Sequence, residues 1–187
     1  ASLMVEPPRD RLASRRAFAG RIVKVDVAPI RGPDGSKLEL EIIRHAGASA
    51  VVALTGPDRS DPGVLLLQQY RYAASGTLWE IPAGLLESGE TPVECARREL
   101  LEEAGARAEA FEHLTTIYTT PGFTDEQIHL FLATQVTVGE PRPAPDEFIE
   151  VREVRLSRAL DMIRTREMQD AKSIVAILYA ARYRFDR

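Results

Sequence analysis

The chain has 187 residues, 44% of them hydrophobic and 28% charged, with 12 glycines and 12 prolines. That length predicts one domain with room for a small appendage, and the composition excludes a collagen-like, disulfide-knit or wholly disordered chain. A net charge of −4 argues against nucleic acid as a partner, one cysteine excludes an intramolecular disulfide or Cys-rich zinc site, and three histidines argue against a His-built metal site.

No run approaches 18 apolar residues, so no membrane helix is expected, and Ala1–Asp10 lacks the apolar stretch of a signal peptide. A cytoplasmic protein is the expectation. Residues 1–16 read as an N-terminal arm. Residues 17–27 read as a strand, with alternation at Ile22–Val27; Pro33-Asp34-Gly35 is a turn, and Leu38–Ile43 alternates again. Residues 17–46 therefore form a small antiparallel β unit before a main domain over 47–187.

Ala50–Leu54 and Val64–Leu67 are short apolar runs, expected as strands buried on both faces, with the loop Gly56–Gly63 between them. Leu78–Ile81 is a further strand, stopped by Pro82-Ala83-Gly84. A helix follows. Thr91 is its N-cap, Pro92 is N1, Glu94 completes a capping box and Gly105 stops it, with Val93, Ala96, Leu100 and Ala104 as the buried stripe. Strands are predicted at Phe111–Tyr118, Gln127–Val136 and Ile149–Leu156, with loops at Pro121–Glu126 and Gly139–Pro145. Helices are predicted at Ser157–Arg164 and Asp170–Tyr183, capped by Ser157 and Asp170. This order predicts an α/β (α+β) sandwich, a mixed sheet between helices.

The acidity is local: residues 84–105 hold Glu87, Glu90, Glu94, Glu99, Glu102 and Glu103 against Arg97 and Arg98. On a helix Glu99, Glu102 and Glu103 share one face and repel unless a cation sits among them. Their oxygens suit Mg²⁺ or Mn²⁺, and Arg98 stands where it can brace the cluster. Taken alone, a glutamate-rich helix reads first as a solvated charged face.

The spacing around that helix is more specific. Gly84, Glu90, Arg98, Glu99, Glu102, Glu103 and Gly105 stand at intervals that resemble the Gly-x5-Glu-x7-Arg-Glu-U-x-Glu-Glu-x-Gly-U box of the Nudix hydrolases, where U is bulky and apolar. Ala106 is smaller than the U residue of that pattern. The resemblance implies a Nudix-type α/β/α sandwich and hydrolysis of a nucleoside diphosphate linked to a second group. It also implies two or three Mg²⁺ or Mn²⁺ ions. Glu99 and Glu103 would be direct ligands, Glu102 would lie near or bind through water, and the Ala83 carbonyl would add an oxygen. Glu90 would brace Arg98, and Gly84 and Gly105 would serve the backbone turns.

Leu78-Trp79-Glu80-Ile81-Pro82-Ala83-Gly84-Leu85-Leu86-Glu87, Gln68-Gln69-Tyr70-Arg71 and Pro121-Gly122-Phe123 resemble the ADP-ribose pyrophosphatase branch. That implies ADP-ribose as substrate, with Pro121, Gly122 and Phe123 at its site. GDP-mannose or a broader set of nucleoside diphosphosugars is the alternative, and a non-hydrolysing sensor a minor one. The resemblance further implies a general base on the loop before the last strand. Glu147 is the first choice, Asp146 and Glu150 are alternatives, and Glu102 of the box competes. It implies a homodimer through the N-terminal strands.

Arg71 is a candidate phosphate or ribose contact, or a surface ion pair. Phe123, Tyr70 and Tyr72 are candidates for stacking on a base or for packing. His113, His129, Cys95 and Trp79 read as structural.

Overall fold

A computed structural model describes residues 14–141 and 148–185. They fall into two compact units: the described residues up to Ala46 with Tyr118–Gln127, and Gly47–Ile117 with the described residues from Ile128 on. Glu147 and Asp146 lie outside the described residues.

In the first unit β1 (Arg15–Ala19), β2 (Lys24–Arg31) and β3 (Lys37–Arg44) form an antiparallel sheet in that order. The one strand expected over 17–27 is therefore two. The chain turns at Gly20, whose N–H donates to the Val23 carbonyl at 2.8 Å. At the β2–β3 turn Asp34 Oδ1 accepts from the Ser36 N–H at 3.0 Å, and Gly35 takes a φ of +83°, which a Cβ would strain. The Pro121 segment lies in this unit. Ile43 donates to the Phe123 carbonyl at 2.8 Å, and Asp125 accepts from the His45 N–H at 2.8 Å and from Arg44 Nη1 at 2.9 Å.

The second unit is built on a mixed sheet. β4 (Ala48–Thr55), β5 (Gly63–Arg71), β8 (Ala106–Tyr118), β9 (Gln127–Val138) and β10 (Ile149–Arg155) take the order β10-β5-β4-β9-β8. β6 (Gly76–Glu80) adds to β5 and β7 (Ala83–Leu85) to β4. β4 runs parallel to β9 and antiparallel to β5, and β5 runs antiparallel to β6 and β10.

Every residue of β4 is buried, as the apolar run Ala50–Leu54 within it predicts; Ser49 and Thr55 are buried with it. Its alternation divides two cores. Ala48, Ala50, Val52 and Leu54 pack with residues of α2 (Leu156–Arg164) and α3 (Ala171–Ala180), among them Ala159, Met162, Ala176 and Ile177. Val51 and Ala53 pack with Ala96, Leu100 and Ala104 of α1 (Pro92–Ala104). The result is a sheet with one helix on one face and two on the other. The partly buried Trp79 packs on the two-helix side.

Helix α1 starts as expected. Thr91 Oγ1 accepts from the Glu94 N–H at 3.4 Å and the Glu94 carboxylate accepts from the Thr91 N–H at 2.8 Å; Gly105 ends the helix at φ +63°. The start of α2 needs correction. α2 begins at Leu156, one residue before the predicted cap, and Ser157 lies inside it. The Ser157 N–H donates to Asp61 Oδ1 and its hydroxyl to Asp61 Oδ2, both at 2.8 Å, so a carboxylate 96 residues away satisfies this helix end. Leu156 is thereby helical, and β10 stops at Arg155. Asp170 does cap α3, accepting from the Ser173 N–H at 3.0 Å, but α3 gives way to a wider π-turn at Ala181–Phe185. β8 begins at Ala106, five residues earlier than expected; its first residues alternate, but the apolar ones are alanines, which have low strand propensity. Among the described residues, no helix is long and apolar enough to cross a membrane.

Candidate active site

The turn from β7 into α1 brings the box together. Arg98 is its hub. Nε and Nη2 donate to Glu90 Oε1 and Oε2 at 2.8 and 2.9 Å, a fork-to-carboxylate pair. Nη1 donates to Glu99 Oε1 at 2.6 Å and to Glu102 Oε2 at 3.3 Å, and Nη2 also reaches the Leu85 carbonyl at 2.9 Å. Arg98 is thus shared among three carboxylates. Those neighbours, Glu90 first and then Glu99, hold its guanidinium firmly charged against the opposing pull of burial.

The three helix glutamates are not equivalent. Glu99 and Glu103 are buried, whereas the Glu102 side chain is 49% exposed. They share a helix face by angle, but only two turn into the protein. Glu103 Oε2 accepts from the Ala83 N–H at 2.8 Å. The Ala83 amide thus meets the box directly. Gly84 has a steric reason to be glycine. A Cβ there would stand 1.8 Å from Glu99 Oε1. The Glu99 carboxylate occupies the space a side chain would take.

Among the described residues, no three His, Cys, Asp or Glu side chains converge as a metal cage. The donor set nevertheless fits a hard divalent cation. Two carboxylates are held inside the protein, one of them in a hollow that only glycine leaves open, and all available atoms are oxygens. Glu99 and Glu103, with Glu102 at the rim, are the residues that could hold it.

A second charged group lies beside this one. Glu80, at the end of β6, is 2% exposed. It accepts from Arg71 Nε at 2.8 Å and Nη2 at 2.9 Å, and Lys172 of α3 pairs with it as well. Burial pushes the Glu80 carboxyl up, but Arg71 and Lys172 outweigh it and hold the group below its ordinary value. Glu80 in turn raises the Arg71 pKa, burial opposes, and the charges of Glu103 and Asp170 add to the rise, which places Arg71 within electrostatic reach of the box. Nothing in the spacing pointed to Glu80 or Lys172. They stand 92 residues apart and only the sheet-to-helix packing joins them.

The remaining candidates are distributed as follows. Pro121, Gly122 and Phe123 belong to the first unit, where Phe123 N–H donates to the Thr120 carbonyl at 3.1 Å and its ring is half exposed. Tyr70 and Tyr72 are exposed. Glu150 pairs with Arg152 on β10. His113 and His129 flank Thr116, whose Oγ1 lies 3.0 and 2.9 Å from their rings. Cys95 points at the Gly84 and Leu85 carbonyls (3.4 and 3.5 Å), and burial raises its thiol to about 11, so it packs as a neutral group.

Acid stability reports on the Arg98 hub. The Arg98 fork holds the Glu90 carboxyl at about 2, against burial and with help from the Glu87 N–H, below its ordinary 4.5. A depressed carboxyl stabilises the fold above its unfolded value, and that contribution disappears as pH falls through the folded value. The melting temperature of the wild type is expected to fall more steeply from pH 4.5 toward 2 than that of Glu90→Gln, as followed by circular dichroism. Parallel profiles would show that the pair does not couple to folding.

The known proteins that this chain resembles agree with the geometry. It is 40% identical over 170 residues to an ADP-ribose pyrophosphatase of Bacillus subtilis, covering 90% of each chain. It is 38% identical over 170 residues to a methanol dehydrogenase activator of Bacillus methanolicus, again covering 90% of each. It is 34% identical over 191 residues to a GDP-mannose pyrophosphatase of Cronobacter sakazakii, covering 94% of each. The crystal structure of an ADP compounds hydrolase superposes with a TM-score of 0.78 at 18% identity over 93% of this chain and 92% of that one, a likeness of fold. A model of the NUDIX domain matches residues 44–176, and the chain belongs to that family.

Proposed function

We propose that this Nudix hydrolase splits the diphosphate of ADP-ribose with water to give AMP and ribose 5-phosphate. The observation that carries the reading is the intact carboxylate box, with Glu99 and Glu103 buried around the Arg98–Glu90 pair. The ADP-ribose pyrophosphatase relative at 40% identity supports the substrate.

Glu99 and Glu103 would hold the divalent cation on which the family generally depends; we infer Mg²⁺ or Mn²⁺ and two or three ions. Such a cation neutralises diphosphate charge and lowers the pKa of a bound water. The chain's own part is orientation. Arg98 fixes Glu99, the Ala83 amide fixes Glu103, and Gly84 leaves room for the Glu99 carboxylate. Arg71 would bind a diphosphate oxygen. A carboxylate takes the proton from the attacking water, with Glu147 assigned first and Glu102 the competitor. The leaving phosphate departs as the new P–O bond forms. Pro121, Gly122 and Phe123 are assigned to substrate selection.

The strands before Ala46 are proposed as a dimerisation unit, with residues 47–187 the catalytic domain. Phe18, Ile22, Val23, Leu38 and Leu40 of that unit are exposed apolar side chains of the kind a second copy covers.

GDP-mannose is the second reading, favoured by the relative at 34% identity. The deciding experiment is Mg²⁺-dependent turnover on ADP-ribose, GDP-mannose, diadenosine polyphosphates, NADH and a dNTP, with products separated by chromatography. Selective release of AMP and ribose 5-phosphate from ADP-ribose is expected. Faster release of GMP from GDP-mannose would replace the substrate while keeping the chemistry. Tight ADP-ribose binding without turnover would make the protein a sensor.

A further inference from the structure

Arg71 is held in an unusual way for a surface arginine. One edge of its guanidinium, Nε and Nη2, is bound by a carboxylate that is 2% exposed, yet the Arg71 side chain itself is 43% exposed. Among the described residues, Nη1 has no hydrogen-bond partner. The carboxylate is in turn immobilised. Lys172 bridges Glu80 to Asp170, whose Oδ2 lies 3.0 Å from Lys172 Nζ and also caps α3. The next residue, Ile81, donates its N–H to the Ser173 hydroxyl at 2.8 Å. The end of β6 is therefore pinned to the first turn of α3 at two successive residues.

Stability alone does not explain this arrangement. Burying a carboxylate with two cations is often no better than an apolar replacement, because desolvation consumes the Coulombic gain. What it does provide is a forked cation whose orientation is fixed before a ligand arrives. We propose that Glu80 is a positioning residue. Anchored by Lys172, it grips the inner edge of Arg71 and leaves the Nη1 end for an oxygen of the substrate diphosphate. This inference rests on the reading of the protein as a nucleoside diphosphosugar hydrolase.

Initial rates of Mg²⁺-dependent ADP-ribose hydrolysis on the full chain test it, with a melting curve for each variant. Arg71→Lys keeps a cation for Glu80 but loses the second edge, and KM is expected to rise about tenfold or more with kcat little changed. Glu80→Gln is expected to raise KM to a similar degree, and the double variant to be little worse than Arg71→Lys alone. Glu80→Asp, which keeps the charge, is expected to fall between wild type and Glu80→Gln. It carries the test if Glu80→Gln does not fold. An unchanged KM in the folded Glu80 variants, beside a raised KM in Arg71→Lys, overturns the positioning role and leaves the substrate reading standing. An unchanged KM in Arg71→Lys overturns the proposal at its premise. Wild-type protein that hydrolyses neither ADP-ribose nor GDP-mannose overturns the substrate reading itself, and this inference with it.

Discussion

Glu103→Gln is expected to lower kcat on the order of 10³-fold, the scale of losing a preorganised charge at a reacting centre, while the protein stays folded. Glu103 is 2% exposed and its Oε2 accepts from the Ala83 N–H at 2.8 Å. A glutamine amide oxygen can accept the same bond, so β7 keeps its contact with α1. What the variant loses is the negative charge, and with it the affinity for a hard cation. Steady-state rates across a Mg²⁺ titration, with circular dichroism on the same samples, separate the two effects. Activity within about threefold of wild type would remove Glu103 from the ligand set, since losing even a supporting metal-site group generally costs more.

Gly84→Ala is expected to be nearly as damaging to turnover, on the order of 10²-fold, through a different route. The added Cβ would fall 1.8 Å from Glu99 Oε1 and 2.1 Å from its Cδ. Both atoms lie at the far end of a flexible side chain, so the carboxylate moves and the backbone does not have to. Arg98 Nη1, 2.6 Å from that oxygen, loses the shorter of its two carboxylate bonds as well. The outcome to look for is a large loss of kcat with a melting temperature lowered by a few degrees at most. A collapse in stability with normal activity in the folded fraction would mean that Glu99 can serve from another position.

The two predictions expose what could and could not be read from residue order. The box was legible because its members lie within one strand-to-helix turn, where spacing is geometry. A helical period and a capping box fix where Arg98, Glu99 and Glu103 stand relative to one another. The apolar run Ala50–Leu54 of β4 was legible too, since burial on both faces favours apolar residues throughout; Ser49 and Thr55, buried beside it, are the polar exceptions. Long-range partners were not. Asp61 caps α2 across 96 residues, and Lys172 meets Glu80 across 92. Each pairing depends on tertiary packing that no local pattern encodes. The inequality of Glu102 and Glu103 follows from the helical period: Glu103 lies about 60° around the helix from Leu100 of the buried stripe and Glu102 about 160°.

The sheet order also has a consequence for how the chain is made. β4 pairs in parallel with β9, so Ala48 waits for Ile128 and Ala53 for Ala133. Parallel neighbours cannot be joined by a tight turn, and closing so long a loop is slow. During synthesis from the N-terminus, the most apolar strand of the protein emerges well before the strand that covers one of its edges. β5 can pair with it early, but the other edge stays open until β9 has left the ribosome. A nascent chain stalled between those two points presents an uncapped apolar template, and that window is where aggregation and chaperone demand should concentrate.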